Sequence, residues 1–87
     1  MSNGPGIHIQ LVELNRRYAD LSVEELWWRY FGLGGTSTAP QLDALLHGSV
    51  DPTAHEYNLM AAALNERFME YDPSRSVPYV EDRYGSN

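Results

Sequence analysis

Apolar residues recur along this chain at helical rather than alternating spacing. Ile7, Leu11, Leu14 and Tyr18 stand at i, i+4, i+7 and i+11, which predicts a first helix from Ile7 with these four on its inward stripe. Ser22-Val-Glu-Glu25 has the form of a capping box, in which the serine oxygen accepts from the third backbone N–H and the glutamate reaches back. A second helix is expected from there to about Phe31, burying Val23, Leu26, Trp27 and Tyr30. Gly32-Leu-Gly-Gly35 then predicts a loop, because each interior glycine costs a helix about 1 kcal/mol relative to alanine.

Ser37 or Thr38 can cap a short third helix, with Pro40 in its first turn, Gly48 in the left-handed closing conformation, and Leu42, Leu45 and Leu46 inside. Asp51-Pro52 and the spacing of Thr53 and Glu56 open a fourth. Its arc of Tyr57, Met60, Ala61, Leu64, Phe68 and Tyr71 ends at Asp72-Pro73. Beyond it, Pro78 prevents a regular helix. The expected organisation is all-α: a flexible amino terminus over 1–6, a small four-helix, helix-turn-helix-like domain over 7–72, and an extended tail over 73–87.

Four helices with a short third one resemble the phage-repressor or Cro-type (XRE) helix-turn-helix family. Leu11 and Leu14 resemble that family's first-helix core, and Ser22-Val-Glu-Glu-Leu26 is similar to its polar-capped second helix. Thr38 lies where the recognition helix often begins, Leu42 matches the inward apolar position, Gly48-x-x-x-Pro52 is similar to the turn that follows, and Ala63-Leu64 to the apolar pair of the later helix. The link from Leu26 to Thr38 is several residues longer than the family's compact turn. The resemblance implies that Ser37, Thr38, Gln41 and His47 face a DNA groove, with Gln41 reading adenine and the hydroxyls binding phosphate.

Charge argues the other way. The chain of 87 residues carries a formal charge of −6, and from Thr36 to Glu56 it has no lysine or arginine, only Asp43, Asp51 and Glu56. Duplex binding is driven largely by cations that displace counterions from phosphate, so DNA is a possible but disfavoured partner. The expected function is therefore a regulatory or adaptor domain acting through contacts with another protein or with its own copy. A direct DNA-binding transcriptional regulator is the alternative. No apolar run approaches the roughly 18–20 residues needed to cross a bilayer. Neither a signal peptide nor any cysteine is present, so a cytoplasmic location and no membrane partner are expected.

Trp27 and Trp28 are separated by about 100° on a helix and cannot face the same core. Trp27 falls with the inward residues, and Trp28 with Glu24 and Glu25, near Phe31. An outward tryptophan beside a phenylalanine is a common interface anchor. The more economical alternative is that the glycine-rich loop or the tail folds over Trp28 and covers it. In the tail, Tyr79 is a second candidate docking residue, against the simpler readings of a disordered end or a cover over the helices. His8, His47 and His55 match no standard metal-ligand spacing, and no nucleophile elbow or phosphate cradle is present. No metal, no cofactor and no enzymatic activity are expected.

Overall fold

In the computed structural model, which describes residues 6–80 and the side chains from Ile9 onward, the chain is all-α. Its helices are α1 (Gly6–Tyr18), α2 (Val23–Gly32), α3 (Ala39–Leu46) and α4 (Ala54–Tyr71). The expected flexible terminus over residues 1–5 and the last part of the tail, 81–87, lie outside the described residues. The long α4 is the spine. It packs against both α1 and α2, while α3 packs against α1 and α2.

Three capping boxes start α2, α3 and α4, each pairing a side-chain hydroxyl with the third helical residue: Ser22 with Glu25, Thr38 with Gln41, and Thr53 with Glu56. Each satisfies backbone groups that the first turn leaves without an intrahelical partner. The first three helices also end alike. A residue with positive φ follows each of them: Asp20 (59°), Gly34 (100°) and Gly48 (80°). The next amide reaches back to the third-last helical carbonyl, Leu21 to Arg16, Gly35 to Tyr30 and Ser49 to Ala44. This is the Schellman arrangement. Gly48 was expected in that role from sequence; Asp20 was not, although a short polar side chain tolerates the left-handed region.

The core contains Leu26 and Tyr30 of α2, Leu42, Leu45 and Leu46 of α3, and Tyr57, Met60, Ala61, Leu64 and Phe68 of α4. Val23 and Trp27 pack at its edge. Tyr71, expected in the buried arc, is exposed: its hydroxyl reaches out to the Tyr18 carbonyl and its ring lies against Arg67.

The inward stripe of α1 is displaced from the expected one. Leu14 is 60% exposed and Tyr18 51%, whereas Ile9, Val12, Asn15 and Ala19 are buried and Leu11 is half-buried. The true stripe is disguised by a polar and a small residue. Asn15 is fully partnered there, its Nδ2 donating to the Leu11 carbonyl and its Oδ1 accepting from Arg75 Nε at 2.9 Å. Arg75 also lies 3.7 Å above the centre of the Tyr18 ring, a cation–π contact that ties the tail to the carboxyl end of α1.

Through residue 80 the tail is neither loose nor laid over Trp28. Val77 is 1% exposed. Two asparagines of α4 act as a substitute strand: Asn65 Oδ1 accepts from Val77 N–H while its Nδ2 donates to the Val77 carbonyl, and Asn58 does the same for Val80. Seven helical residues rise about 10.5 Å and three extended residues span about 10 Å, so the two amides match the tail's repeat, with the tail antiparallel to α4. Tyr57 Oη donates to the Pro78 carbonyl between them.

Two outcomes are expected from urea or thermal melts. Asn65→Ala leaves the buried Val77 amide and carbonyl without partners and lowers stability by about 1–3 kcal/mol. At Gly35 an added Cβ would meet the Tyr30 ring at 2.3 Å, so Gly35→Ala costs about 1–3 kcal/mol, whereas Gly32, with open space around it, accepts alanine without loss.

Candidate functional site

The Gly32–Gly35 loop turns back on α2 because Tyr30 holds it. Tyr30 is fully buried, its carbonyl accepts from Gly35 N–H, and its hydroxyl accepts from Ser37 N–H at 3.0 Å. That places the Ser37 carbonyl where Trp27 Nε1 donates to it at 2.8 Å. Trp27 thus faces the loop with its N–H satisfied, and Trp28 points outward.

Trp28 is 59% exposed and Phe31 52%. The expected cover over Trp28 is not formed by any described residue: the tail runs along α4, and the loop is drawn toward Trp27. The three rings form one cluster, with Trp27 edge-on to Trp28 at 4.9 Å, stacked on Phe31 at 5.2 Å, and Trp28 edge-on to Phe31 at 6.3 Å. Trp27 is the shared support on which the two exposed rings stand. Tyr79, the other aromatic singled out for interaction, is also exposed but belongs to the tail clasp, where its hydroxyl accepts from Asn65 Nδ2.

Beside Trp28 lies an open groove of about 390 Å³, lined by Asp20, Leu21, Glu25, Trp28, Arg29 and Arg67. Its two guanidiniums are already matched. Arg29 grips Glu70 with two hydrogen bonds of 2.9 and 3.0 Å, bridging α2 to α4. That pairing pushes Arg29 up and holds the Glu70 carboxyl below its usual range. Arg67 lies 3.8 Å from Glu70 and stacks on Tyr71. Glu25 is held below its usual range by the Ser22 amide of its capping box. The groove wall at Leu21 is pinned by Arg16, which donates to the Leu21 carbonyl at 2.7 Å while bound to Glu13. Asp20, Glu25, Arg29 and Arg67 were not singled out from sequence. Only the positions of Glu24 and Glu25 one turn before Trp28 and Arg29 carried a signal.

Ser37, Thr38 and Gln41 gather at the start of α3 and His47 lies at its far end, and the polar groups of all four serve the fold. Thr38 and Gln41 cap each other, with Thr38 N–H donating to Gln41 Oε1 at 2.7 Å. Ser37 Oγ donates to Glu56 Oε2 at 2.9 Å. His47 closes α3, with Nδ1 2.9 Å from the Asp43 carbonyl oxygen and 3.3 Å from Asp43 Oδ1. A smaller groove of about 230 Å³ on this side is lined by Ser37, Gln41, Ala44, Leu45, Val50 and Glu56, with no cation among them. The described arginines stand on α1, α2, α4 and the tail, and each has a partner: Arg16 and Arg17 on Glu13, Arg29 on Glu70, Arg67 on Glu70, and Arg75 on Asn15. Arg83 lies outside the described residues.

Among the described residues no three His, Asp or Glu side chains gather as a metal set, and no helix is long and apolar enough to cross a membrane. His47 and His55 are both exposed, and the His8 side chain lies outside the described set. Comparison of the chain with protein-family models, with curated proteins and with solved structures yields no match.

The Glu13 carboxyl that anchors Arg16 is held below its ordinary value of 4.5, chiefly by the hydrogen bonds from Arg16. A lowered folded-state value means stability that is present above pH 4.5 and lost as pH falls through the lowered value. Glu13→Gln is therefore expected to melt lower than the parent at pH 7. The two melting curves should converge as the pH drops below 4.5, in thermal melts followed by circular dichroism.

Proposed function

We propose that this chain is a small helix-turn-helix-like adaptor or regulatory domain that acts by binding a polypeptide, through the ridge formed by Trp28 and Phe31 on their Trp27 support. The observation that carries this reading is the exposure of both rings on a rigid helix, beside a groove, with no described segment over them. Tryptophan loses little side-chain entropy on contact and brings a large apolar area, which is why such rings dominate interface energetics. Two further observations support it. The short α3 carries no cation, and Ser37, Thr38, Gln41 and His47 are engaged in hydrogen bonds that hold the fold together.

The proposal includes a distant likeness to the XRE helix-turn-helix family. In it, α2 and α3, joined by residues 33–38, stand for a divergent helix-turn-helix whose base-reading surface has a different chemical character.

Photo-crosslinking in the native host tests the reading. A benzoylphenylalanine at position 28 is expected to yield an adduct with a polypeptide, and the same group at position 41 is expected to yield none with DNA. Capture of DNA at 41 with silence at 28 would overturn it. In parallel, titration of mixed-sequence duplex at low salt is expected to give no saturable binding at micromolar protein. Micromolar, steeply salt-dependent binding would instead favour a DNA-binding regulator.

A further inference from the structure

We propose that the partner recognised at the Trp28 ridge is a basic segment of another protein, one in which an arginine or lysine stands next to an apolar residue. The cation sits over the Trp28 indole and the apolar neighbour against Phe31. This rests on the polypeptide-binding reading above and specifies the chemistry of its partner.

The argument is one of charge around an open aromatic face. Asp20 and Glu25 line the groove, and Glu24 stands one turn before Trp28 on the same helix. Among the described residues, the Asp20 and Glu24 carboxylates have no hydrogen-bond or ion-pair partner, and Glu25 commits one oxygen to the Ser22 amide. The nearby cations, Arg29 and Arg67, are by contrast matched by Glu66 and Glu70. The groove lining carries two carboxylates, Asp20 and Glu25, against Arg29 and Arg67, and both of those guanidiniums are drawn toward Glu66 and Glu70 of α4. What remains uncompensated is negative, and it flanks an indole, the aromatic face that attracts cations most strongly. An acidic peptide or a nucleic acid would meet repulsion here. A second copy seated symmetrically would place the same acidic rim against itself, in a chain that already carries −6.

The test uses three acetylated peptides, of repeating Leu-Arg, Leu-Gln and Leu-Glu, titrated into the full chain and followed by ¹⁵N–¹H shifts of the backbone and indole N–H groups. The Leu-Arg peptide is expected to bind saturably, shifting the Trp28 indole and the Glu24 amide, with no such response to the other two. Trp28→Ala should weaken it by about tenfold or more. Asp20→Asn with Glu24→Gln should weaken it by about threefold at low salt, and that difference should disappear at high salt. Asparagine keeps the left-handed turn at position 20, so the double variant retains the fold, which a melt verifies. Asp51→Asn, a charge removed from the link between α3 and α4, should leave binding unchanged.

Equal Trp28-dependent binding of the Leu-Gln or Leu-Glu peptide would overturn the basic partner while leaving the ridge as a docking site. An equal loss with Asp51→Asn would reduce the effect to net charge and overturn it. Dimerisation on sedimentation, abolished by Trp28→Ala, would assign the ridge to a second copy instead. Absence of any Trp28-dependent binding would also overturn the proposal, with the crosslink at position 28 deciding the broader reading separately.

Discussion

The buried Tyr30 side chain governs the proposed docking surface without being part of it. Its ring lies so close to the Gly35 backbone that no side chain fits between them, and its hydroxyl takes the Ser37 amide. Those two contacts fold the 33–38 link back along α2 and deliver a carbonyl to Trp27. Once Trp27 is satisfied there, helical geometry turns Trp28 about 100° away from it, and Phe31, one turn after Trp27, completes the exposed ridge. The same Ser37 also donates to Glu56 and thereby couples the link to the start of α4. A single packed tyrosine thus connects the loop, the support ring and the spine.

Small size bears on which side chains of α3 are left free. Each helix begins with amides that have no partner inside the helix, and a domain this small has few other groups with which to satisfy them. Ser22, Thr38 and Thr53 do so together with Glu25, Gln41 and Glu56. In α3, Thr38 and Gln41, two of the residues that a base-reading role would require, are capping residues. The chain's cations hold helices and tail to one another, as Arg29 does between α2 and α4 and Arg75 between the tail and α1. Negative charge is left to dominate the outer rim.

What could be read from the sequence was what neighbouring residues determine. Ser22 to Glu25, Thr53 to Glu56, Gly48 and Asp72-Pro73 set helix limits through contacts within a few positions, and the structure places the boundaries there. The outward direction of Trp28 followed from helical periodicity alone. Long-range pairing was not legible. Asn15 reads as a surface residue until Arg75, sixty positions away, supplies its partner, and so the α1 stripe was assigned to Leu14 and Tyr18 instead of Val12 and Ala19. Asn58 and Asn65 likewise carry no local mark of the backbone they clasp, which is why the sequence leaves the tail open between a disordered end, a cover over the helices and a docking segment. The groove beside Trp28 combines α2, the Asp20 turn and Arg67 of α4, a conjunction that no single window of sequence contains.

Trp28 stands uncovered while Trp27 is partly buried under the loop. That difference is tested most directly by labelling the full chain with 5-fluorotryptophan and measuring the ¹⁹F solvent isotope shift of each indole between H₂O and D₂O, with assignment by Trp28→Phe. The account predicts a large shift for Trp28 and a much smaller one for Trp27, unchanged on dilution. A small shift for Trp28 would contradict it, since the ridge would then already be covered by this chain or by its copy.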